Sequence, residues 1–154
     1  MRLRSRTLGM LAAIAATAAV AGCGGSSGPS KAEFVKKADA LCAQINKAHP
    51  PKPAPKNAKE AAAIWTEEGG IRRELDGKLR KLDIPDAAKS DFDAYNAGTQ
   101  KILATIDSMA ADAKANDEKK FTADQKTFDA ESAAREKAAI KLGFKTCGRK
   151  DPVQ

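Results

Sequence analysis

Side chains able to do acid-base, metal or nucleophilic chemistry are few and widely spaced in this sequence. There are three cysteines and one histidine, His49, which lies directly before a proline. A metal site in a helical bundle needs several inward carboxylates and histidines, typically as Glu-x-x-His pairs. Ser90, Ser108 and Ser132 lack the Gly-x-Ser-x-Gly context of a nucleophile elbow. We therefore expect no catalytic residue, no metal site and no cofactor, and we expect that the protein is not an enzyme.

The most specific cofactor alternative is a haem held by His49 and Met109, since helical bundles can bind haem through such a pair. The sequence has no Cys-x-x-Cys-His attachment motif. Met109 also falls within a regular apolar seam, which favours core packing for this side chain. His49, next to a run of prolines, is expected at the surface.

The first 22 residues have the composition of a secretory signal. Arg2, Arg4 and Arg6 occur there with no acid, and an apolar stretch follows from Leu8 to Ala21. This stretch is shorter than the roughly 20 residues that a transmembrane helix needs. The pattern predicts a leader over residues 1–22 that is removed, rather than a permanent membrane span.

The end of that leader, Val20-Ala21-Gly22-Cys23, resembles the lipobox of bacterial lipoproteins: an aliphatic residue, two small residues and a cysteine. The resemblance implies diacylglycerol on the Cys23 thiol, cleavage before Cys23 and, in many species, acylation of the new amino terminus with a fatty acid such as palmitate. Several acyl chains anchor stably, because each buried methylene adds about 0.8 kcal/mol. The expected address is the extracytoplasmic side of the cell membrane. The alternative is an ordinary signal that happens to end near a cysteine.

Residues 23–30 form a glycine- and serine-rich linker with little apolar surface to bury. Such a composition behaves as a flexible coil, and the seven residues from Gly24 to Ser30 would hold a folded domain roughly 15 Å from the headgroups. The membrane is then a partner through the lipid anchor.

The two other cysteines, Cys42 and Cys147, remain as a pair in a compartment where disulfides persist. A metal pair or a reactive thiol is the alternative, but the sequence has no Cys-x-x-Cys. A disulfide closing a loop near 100 residues stabilises a fold by roughly 4 to 5 kcal/mol in the chain-entropy model. We expect a structural disulfide between Cys42 and Cys147.

Charge argues against nucleic acid as a partner. Without Arg2, Arg4 and Arg6, the chain keeps 24 of its 27 basic residues against 20 acidic ones, a net charge of +4. Lysines alternate with acids along the chain, which is typical of a solvated helix face. A weak attraction to anionic headgroups or cell-wall polymers remains open, since each Lys or Arg near an anionic surface adds about 1 kcal/mol.

Apolar residues recur at helical spacing in four segments. The first runs from about Lys31 to Ala48 and ends at the prolines of residues 50–55, and the second runs from about Asn57 to Leu82. Asn57 is expected to cap the second helix, with Glu60 three residues on. Gly69-Gly70 should kink it or break it into two shorter helices, because a mid-helix glycine costs about 1 kcal/mol relative to alanine. Pro85 ends the segment, and Asp86 is expected to cap the next helix.

The third segment is the most regular and keeps a strict heptad, which makes a continuous seam for partner helices. Its apolar positions are Ala88, Phe92, Tyr95, Thr99, Ile102, Ile106, Met109 and Ala113. Asn116-Asp117 ends this segment. In the fourth segment, Phe121, Phe128, Ala139 and Leu142 share a face, and Gly143 is expected as its C-terminal cap. Trp65 and Tyr95 could serve an interface, but packing in the core is the favoured role.

Four amphipathic segments with short connections predict an all-α fold, an antiparallel up-down bundle of about four helices. In that topology the first and fourth helices are neighbours, so Cys147 can reach Cys42 if their Cα atoms approach within about 7 Å. The predicted organisation is a signal at 1–22, a linker at 23–30, a helical domain at 31–148 and a tail at 149–154.

The two cysteine contexts, Ala38-Asp39-Ala40-Leu41-Cys42 and Leu142-Gly143-Phe144-Lys145-Thr146-Cys147-Gly148, are similar to those of small alanine-rich lipoproteins of actinobacteria. This resemblance implies an address and a helical, disulfide-bonded domain, but no activity. We expect a non-catalytic module that binds an envelope protein or a cell-wall component. The alternative is a carrier of a small apolar ligand, a lipid or haem, in an interhelical pocket of about 300 Å³ or more.

Overall fold

The computed structural model describes residues 28–148, which form four α-helices. They are α1 (Lys31–Ala48), α2 (Ala58–Leu79), α3 (Asp86–Ala115) and α4 (Glu118–Leu142). The described residues contain no strand. The predicted all-α, up-down bundle is confirmed. Cys23 and the lipobox-like residues lie outside the described part of the chain, as do residues 149–154.

Side chains and glycine define the helix ends largely as the sequence predicts. Ser30 and Glu33 form a reciprocal capping box at the start of α1, and the Asn57 side chain accepts the backbone N–H of Glu60 at the start of α2. Gly143 ends α4 in the left-handed conformation, with φ of 101°. The prediction for Asp86 is wrong: Pro85 is the N-cap of α3, and Asp86 is already its first helical residue.

The expected break at Gly69-Gly70 does not occur, since α2 is one continuous helix of 22 residues. Gly69 is buried against α3, and a Cβ atom there would lie 3.2 Å from Cγ2 of Ile106. The absence of a side chain therefore lets the two helices approach closely. A Cβ on Gly70 would meet nothing within 4 Å. Packing against α3 stabilises the helix enough to outweigh the low helix propensity of the two glycines.

α3 is the central helix, because it makes the most extensive contacts of the bundle with α2 on one side and α4 on the other. α1 has 18 residues and α3 has 30, or about 27 Å against about 45 Å at 1.5 Å per residue. The start of α1 lies beside the start of α3, where Lys31 Nζ is 3.1 Å from a carboxylate oxygen of Asp91. α1 therefore covers only one half of α3, here called the proximal half, and the distal half contains three helices.

The buried core is correspondingly divided into two apolar clusters. The proximal cluster joins α1, the end of α4 and the residues after it to α2 and α3; its members are Phe34, Ala38, Cys42, Leu79, Ala88, Phe92, Tyr95, Ala139, Leu142, Phe144 and Cys147. The distal cluster consists of Ala61, Trp65, Ile102, Ile106, Met109, Ala113 and Phe128. All eight heptad positions predicted for α3 are buried, so this helix contributes to both clusters.

Aromatic rings pack at the centre of each cluster. Phe34 lies edge-on to Phe92, with ring centroids 5.5 Å apart, and Tyr95 lies edge-on to Phe144 at 5.3 Å. In the distal cluster the Trp65 ring meets Phe128 edge-on at 5.3 Å. Core packing is therefore the role of the Trp and Tyr side chains, as the sequence favoured.

Replacement of Gly70 by alanine should stabilise the protein, because the site is helical and has open space for a methyl group. We expect Gly70→Ala to raise the free energy of unfolding by about 0.5 to 1 kcal/mol in urea titrations followed by circular dichroism. Gly69→Ala is the matched control, since its Cβ would lie 2.9 Å from Nη1 of Arg73 as well as against Ile106. An equal gain from both variants would contradict the close approach of α2 to α3 at Gly69.

Candidate functional site

A disulfide joins α1 to the segment that follows α4. Cys42 and Cys147 are both buried, their Cα atoms are 5.3 Å apart, and the bond spans 105 residues of sequence. The distance fits the geometry expected for this pair from the sequence. Gly143, in its left-handed conformation, turns the chain out of α4 so that residues 144–148 fold back against α1.

The same segment is held by the carboxylate of Asp39, one turn before Cys42 on α1. Asp39 accepts the backbone N–H groups of Lys145 at 3.0 Å, Thr146 at 2.8 Å and Cys147 at 3.1 Å. The Tyr95 hydroxyl donates to the carbonyl oxygen of Cys147 at 3.1 Å. We call this arrangement of Asp39, Cys42 and Tyr95 around residues 144–148 the tail clasp. It gives hydrogen-bond partners to backbone groups that would otherwise be orphaned after the helix.

Sequence reasoning missed the role of Asp39. The one available signal is its spacing: Asp39 precedes Cys42 by three residues, so both side chains lie on the same face of α1. A carboxylate beside a disulfide-bonded cysteine can accept hydrogen bonds from the backbone N–H groups next to the other cysteine. Many exposed acids have the same spacing from a cysteine, however, without such a role. The role of Asp39 can be recognised only once the position of residues 144–148 is known.

Beside the clasp lies a cavity of about 70 Å³ between the four helices. Apolar and polar side chains mix in its wall, including both bridged cysteines. The residues that line it are Cys42, Ile45, Asn46, His49, Glu68, Ile71, Arg72, Leu75, Asp76, Leu79, Tyr95, Thr99, Arg135, Thr146 and Cys147. Two of these, Arg72 of α2 and Arg135 of α4, are buried although they are charged, with exposures of 7 % and 8 %.

The two arginines lie between the apolar clusters and contact both. The Arg72 guanidinium carbon is 5.7 Å from the Phe128 ring centroid, and that of Arg135 is 5.7 Å from the Tyr95 ring centroid, distances typical of cation–π contacts. Arg72 Nε is also 2.7 Å from a carboxylate oxygen of Glu68, one turn earlier on α2. Sequence reasoning did not single out either arginine, because both follow the mixed charge pattern of an exposed face.

A second hollow opens at the distal end, where α2 begins and α3 turns into α4. It is a shallow groove of about 360 Å³, lined in part by Lys56, Asp112, Asp117, Glu118 and Phe121. Although its volume would suit a small ligand, acids and amides mix with apolar side chains in its wall, and the groove is open to solvent. The groove therefore lacks the enclosed apolar surface that a lipid or haem requires.

Charge repulsion is built into this groove. Loss of hydration and the nearby carboxylate of Asp124 raise the pKa of Asp112 above its usual range. At the opposite end of the bundle, hydrogen bonds from the ammonium groups of Lys141 and Lys31 lower the pKa of Asp91. The carboxylate of Asp91 therefore ties α1, α3 and α4 together through its ion pairs. Ionisation of Asp112, by contrast, opposes folding.

The structure separates the two residues of the haem alternative. Met109 is fully buried in the distal cluster. His49 follows the end of α1 and lines the cavity between the four helices, together with Arg72 and Thr99. Neither cavity that His49 lines includes Met109. Ser90 and Ser108 are exposed on α3, and His49 does not share a cavity wall with either of them.

No protein-family model, curated protein or solved structure matches this chain. Within residues 28–148, none of the helices combines the length and the apolar character that crossing a membrane requires. Over that same part of the chain, no group of three or more His, Cys, Asp or Glu side chains is arranged to hold a metal ion.

Loss of the disulfide should destabilise the domain strongly. We expect the double variant Cys42→Ala with Cys147→Ala to lose about 4 kcal/mol of unfolding free energy, because the unfolded chain regains the freedom of a long closed loop. Urea unfolding without reductant measures the difference. Dithiothreitol should destabilise the wild type and leave the double variant unchanged. Equal stability of the two proteins would show that the tail does not depend on the disulfide.

Neutralising Asp112 should stabilise the protein at neutral pH. A folded-state pKa above that of the unfolded chain means that the ionised carboxylate opposes folding and that this cost disappears as the pH falls. We expect Asp112→Asn to raise the melting temperature at pH 7, with the difference shrinking as the pH falls and vanishing below about pH 3, where the wild-type carboxyl is protonated in both the folded and the unfolded state. Asp129→Asn, at an exposed position of α4, is the control and should change little. A lower melting temperature for Asp112→Asn at pH 7 would contradict the repulsion.

Proposed function

We propose that the protein is a lipid-anchored lipoprotein on the extracytoplasmic side of the cell membrane, and that its helical domain is a non-catalytic binding module of the cell envelope. The observation that carries the proposal is the state of the three cysteines. Cys42 and Cys147 are consumed in a buried disulfide, which leaves Cys23, the cysteine of the lipobox-like sequence, as the one remaining thiol.

The disulfide also supports the compartment. Structural disulfides are typical of secreted and envelope proteins and are rare where the cytosol keeps thiols reduced. In this domain the bond is buried and its tail segment is further held by Asp39, which is typical of a structural bridge rather than a catalytic one. The charged, lysine-rich helix faces suit a module that lies close to headgroups and cell-wall polymers.

A binding role is favoured over a carrier of lipid or haem by the size and polarity of the cavities. The enclosed space between the helices is about 70 Å³, well below the roughly 300 Å³ of a small-molecule pocket. The larger distal groove is open to solvent, and acids and amides interrupt its apolar lining. The described surface exposes one large apolar side chain, Ile140 at 65 %, so the partners that suit it best are polar or charged.

Lipidation is tested by expressing the full chain in a bacterial host with labelled palmitate. We expect the label on the wild-type protein, an intact mass that corresponds to a chain beginning at lipidated Cys23, and recovery in the membrane fraction. Cys23→Ser should lose the label and the membrane association. The Cys42→Ala, Cys147→Ala double variant is the control and should keep both. A labelled Cys23→Ser protein, or a wild type that keeps its first 22 residues without lipid, would overturn the anchor.

A further inference from the structure

Basic side chains are unevenly distributed over the domain. Two segments that the disulfide joins, α1 and residues 130–148, together carry seven lysines and four acids. Residues 49–129 carry 13 bases and 15 acids when the buried Arg72 is left aside. The excess of positive charge therefore lies on α1 and on the second half of α4 with its tail; we call the outer side of these two segments the basic surface.

Lysines of the basic surface are available to a partner. Lys36, Lys137 and Lys145 are exposed, and within residues 28–148 the side chain of none of them forms an ion pair. One acid of this surface is already occupied, because Asp39 accepts three backbone N–H groups of the tail. The unpaired lysines therefore present positive charge to whatever lies opposite them.

The large apolar side chain that the described surface exposes, Ile140 at 65 %, lies among these lysines. It belongs to the last turn of α4, three residues after Lys137 and next to Lys141, and residues three apart are neighbours on a helix surface. An apolar side chain surrounded by lysines suits the headgroup region of a bilayer, where the apolar group reaches the acyl chains and the bases meet anionic lipids. A soluble polyanion would offer Ile140 no apolar phase.

The chain that precedes the domain enters it at this surface. Ser30 caps α1, and Cys23 lies seven residues before Ser30, a stretch that spans at most about 25 Å. The end of α4 lies beside the start of α1, since a Cβ on Gly143 would be 3.7 Å from Cγ2 of Val35. A lipid on Cys23 would thus hold both segments near the headgroups. Because contact is then intramolecular, a weak intrinsic affinity is enough to orient the domain.

We propose that the basic surface docks the domain on anionic lipid headgroups, with its lysines against the headgroups and Ile140 at the boundary of the acyl chains. This inference rests on the membrane address proposed above. It names a partner for the binding module, the bilayer itself, and it fixes which side of the domain faces that bilayer.

Docking is tested with the mature chain, residues 23–154, carrying Cys23→Ser, so that binding is measured without the lipid. Sedimentation with vesicles of phosphatidylcholine alone is compared with sedimentation with vesicles of phosphatidylcholine and phosphatidylglycerol in equal amounts. We expect the protein to bind the anionic vesicles at least about tenfold more strongly than the neutral ones, as two or more lysines near the surface provide. Binding should be lost in about 1 M sodium chloride, where the screening length falls to about 3 Å.

Matched lysine variants separate the basic surface from net charge. The first variant combines Lys36→Gln, Lys137→Gln and Lys145→Gln. Each lysine near an anionic surface strengthens binding about fivefold, so this variant should bind the anionic vesicles about tenfold or more weakly than the wild type. The control removes the same charge from exposed positions of the distal half, with Lys114→Gln, Lys119→Gln and Lys126→Gln. Its binding should stay within about threefold of the wild type, because those lysines lie farther from the bilayer than the screening length.

A dye at position 140 tests the contact of Ile140 with the bilayer. The Cys23→Ser chain has no free thiol, since Cys42 and Cys147 are disulfide-bonded, so one added cysteine can carry an environment-sensitive fluorophore. We expect the emission of the dye on Ile140→Cys to shift to the blue when anionic vesicles are added. The dye on Ala123→Cys, an exposed position near the start of α4, is the control and should not shift.

Equal binding to neutral and anionic vesicles would overturn the proposal, as would equal losses in the two lysine variants or a blue shift at Ala123→Cys without one at Ile140→Cys. Binding to soluble polyglutamate but not to vesicles would make a cell-wall polymer the partner and overturn it too. Palmitate labelling of Cys23 in the full chain reads the anchor separately. A labelled protein whose Cys23→Ser form ignores anionic vesicles refutes the basic surface alone, whereas vesicle binding by a protein that takes no label refutes the anchor alone.

Discussion

The attachment of residues 144–148 to α1 is the constraint on which the rest of the domain depends. α1 is the shortest helix and makes far less helix-to-helix contact than α3 or α4 does. It is held instead by the tail clasp, by the Phe34 ring between Phe92 and Phe144, and by Asp91, which pairs with Lys31 and Lys141. Without the disulfide and the carboxylate of Asp39, the proximal cluster would lose one of its walls.

The clasp and the cavity between the four helices share their atoms. Cys42 and Cys147 line the cavity, and Tyr95 joins the two through its hydroxyl on one side and its ring under Arg135 on the other. Removing the disulfide should therefore affect more than stability, because the cavity wall would become mobile. In the proposed lipoprotein, the helix that follows the linker is also a helix that lines this cavity.

The regular features of this fold are those that the sequence predicts best. The heptad of α3 places every one of its eight positions correctly, because a long amphipathic seam repeats the same signal many times. Helix starts with side-chain caps, at Ser30 and Asn57, and the stop at Gly143 are equally local. The topology, the closeness of the two cysteines and most helix bounds follow from such signals, whereas α2 ends at Leu79 rather than at the predicted Leu82.

Features that depend on a partner helix were missed or wrong. Gly69 was expected to weaken α2, but it allows contact with Ile106, and no property of α2 alone distinguishes these outcomes. Arg72 and Arg135 resemble the other exposed bases in sequence, and only the meeting of α2 and α4 buries them. The role of Asp39 likewise needs the position of a segment 106 residues away. Each case combines a weak local preference with a strong long-range contact.

Arg72 and Arg135, which are buried between the two apolar clusters, also restrict how the helices can align. The heptad pattern of α3 alone does not exclude a slide of one heptad along a neighbour, about 10 Å. In this bundle such a slide would move the guanidinium of Arg72 or Arg135 away from its present contacts and toward one of the apolar clusters. Because moving a buried charge away from its contacts is costly, the buried arginines favour the observed register over one shifted by a heptad.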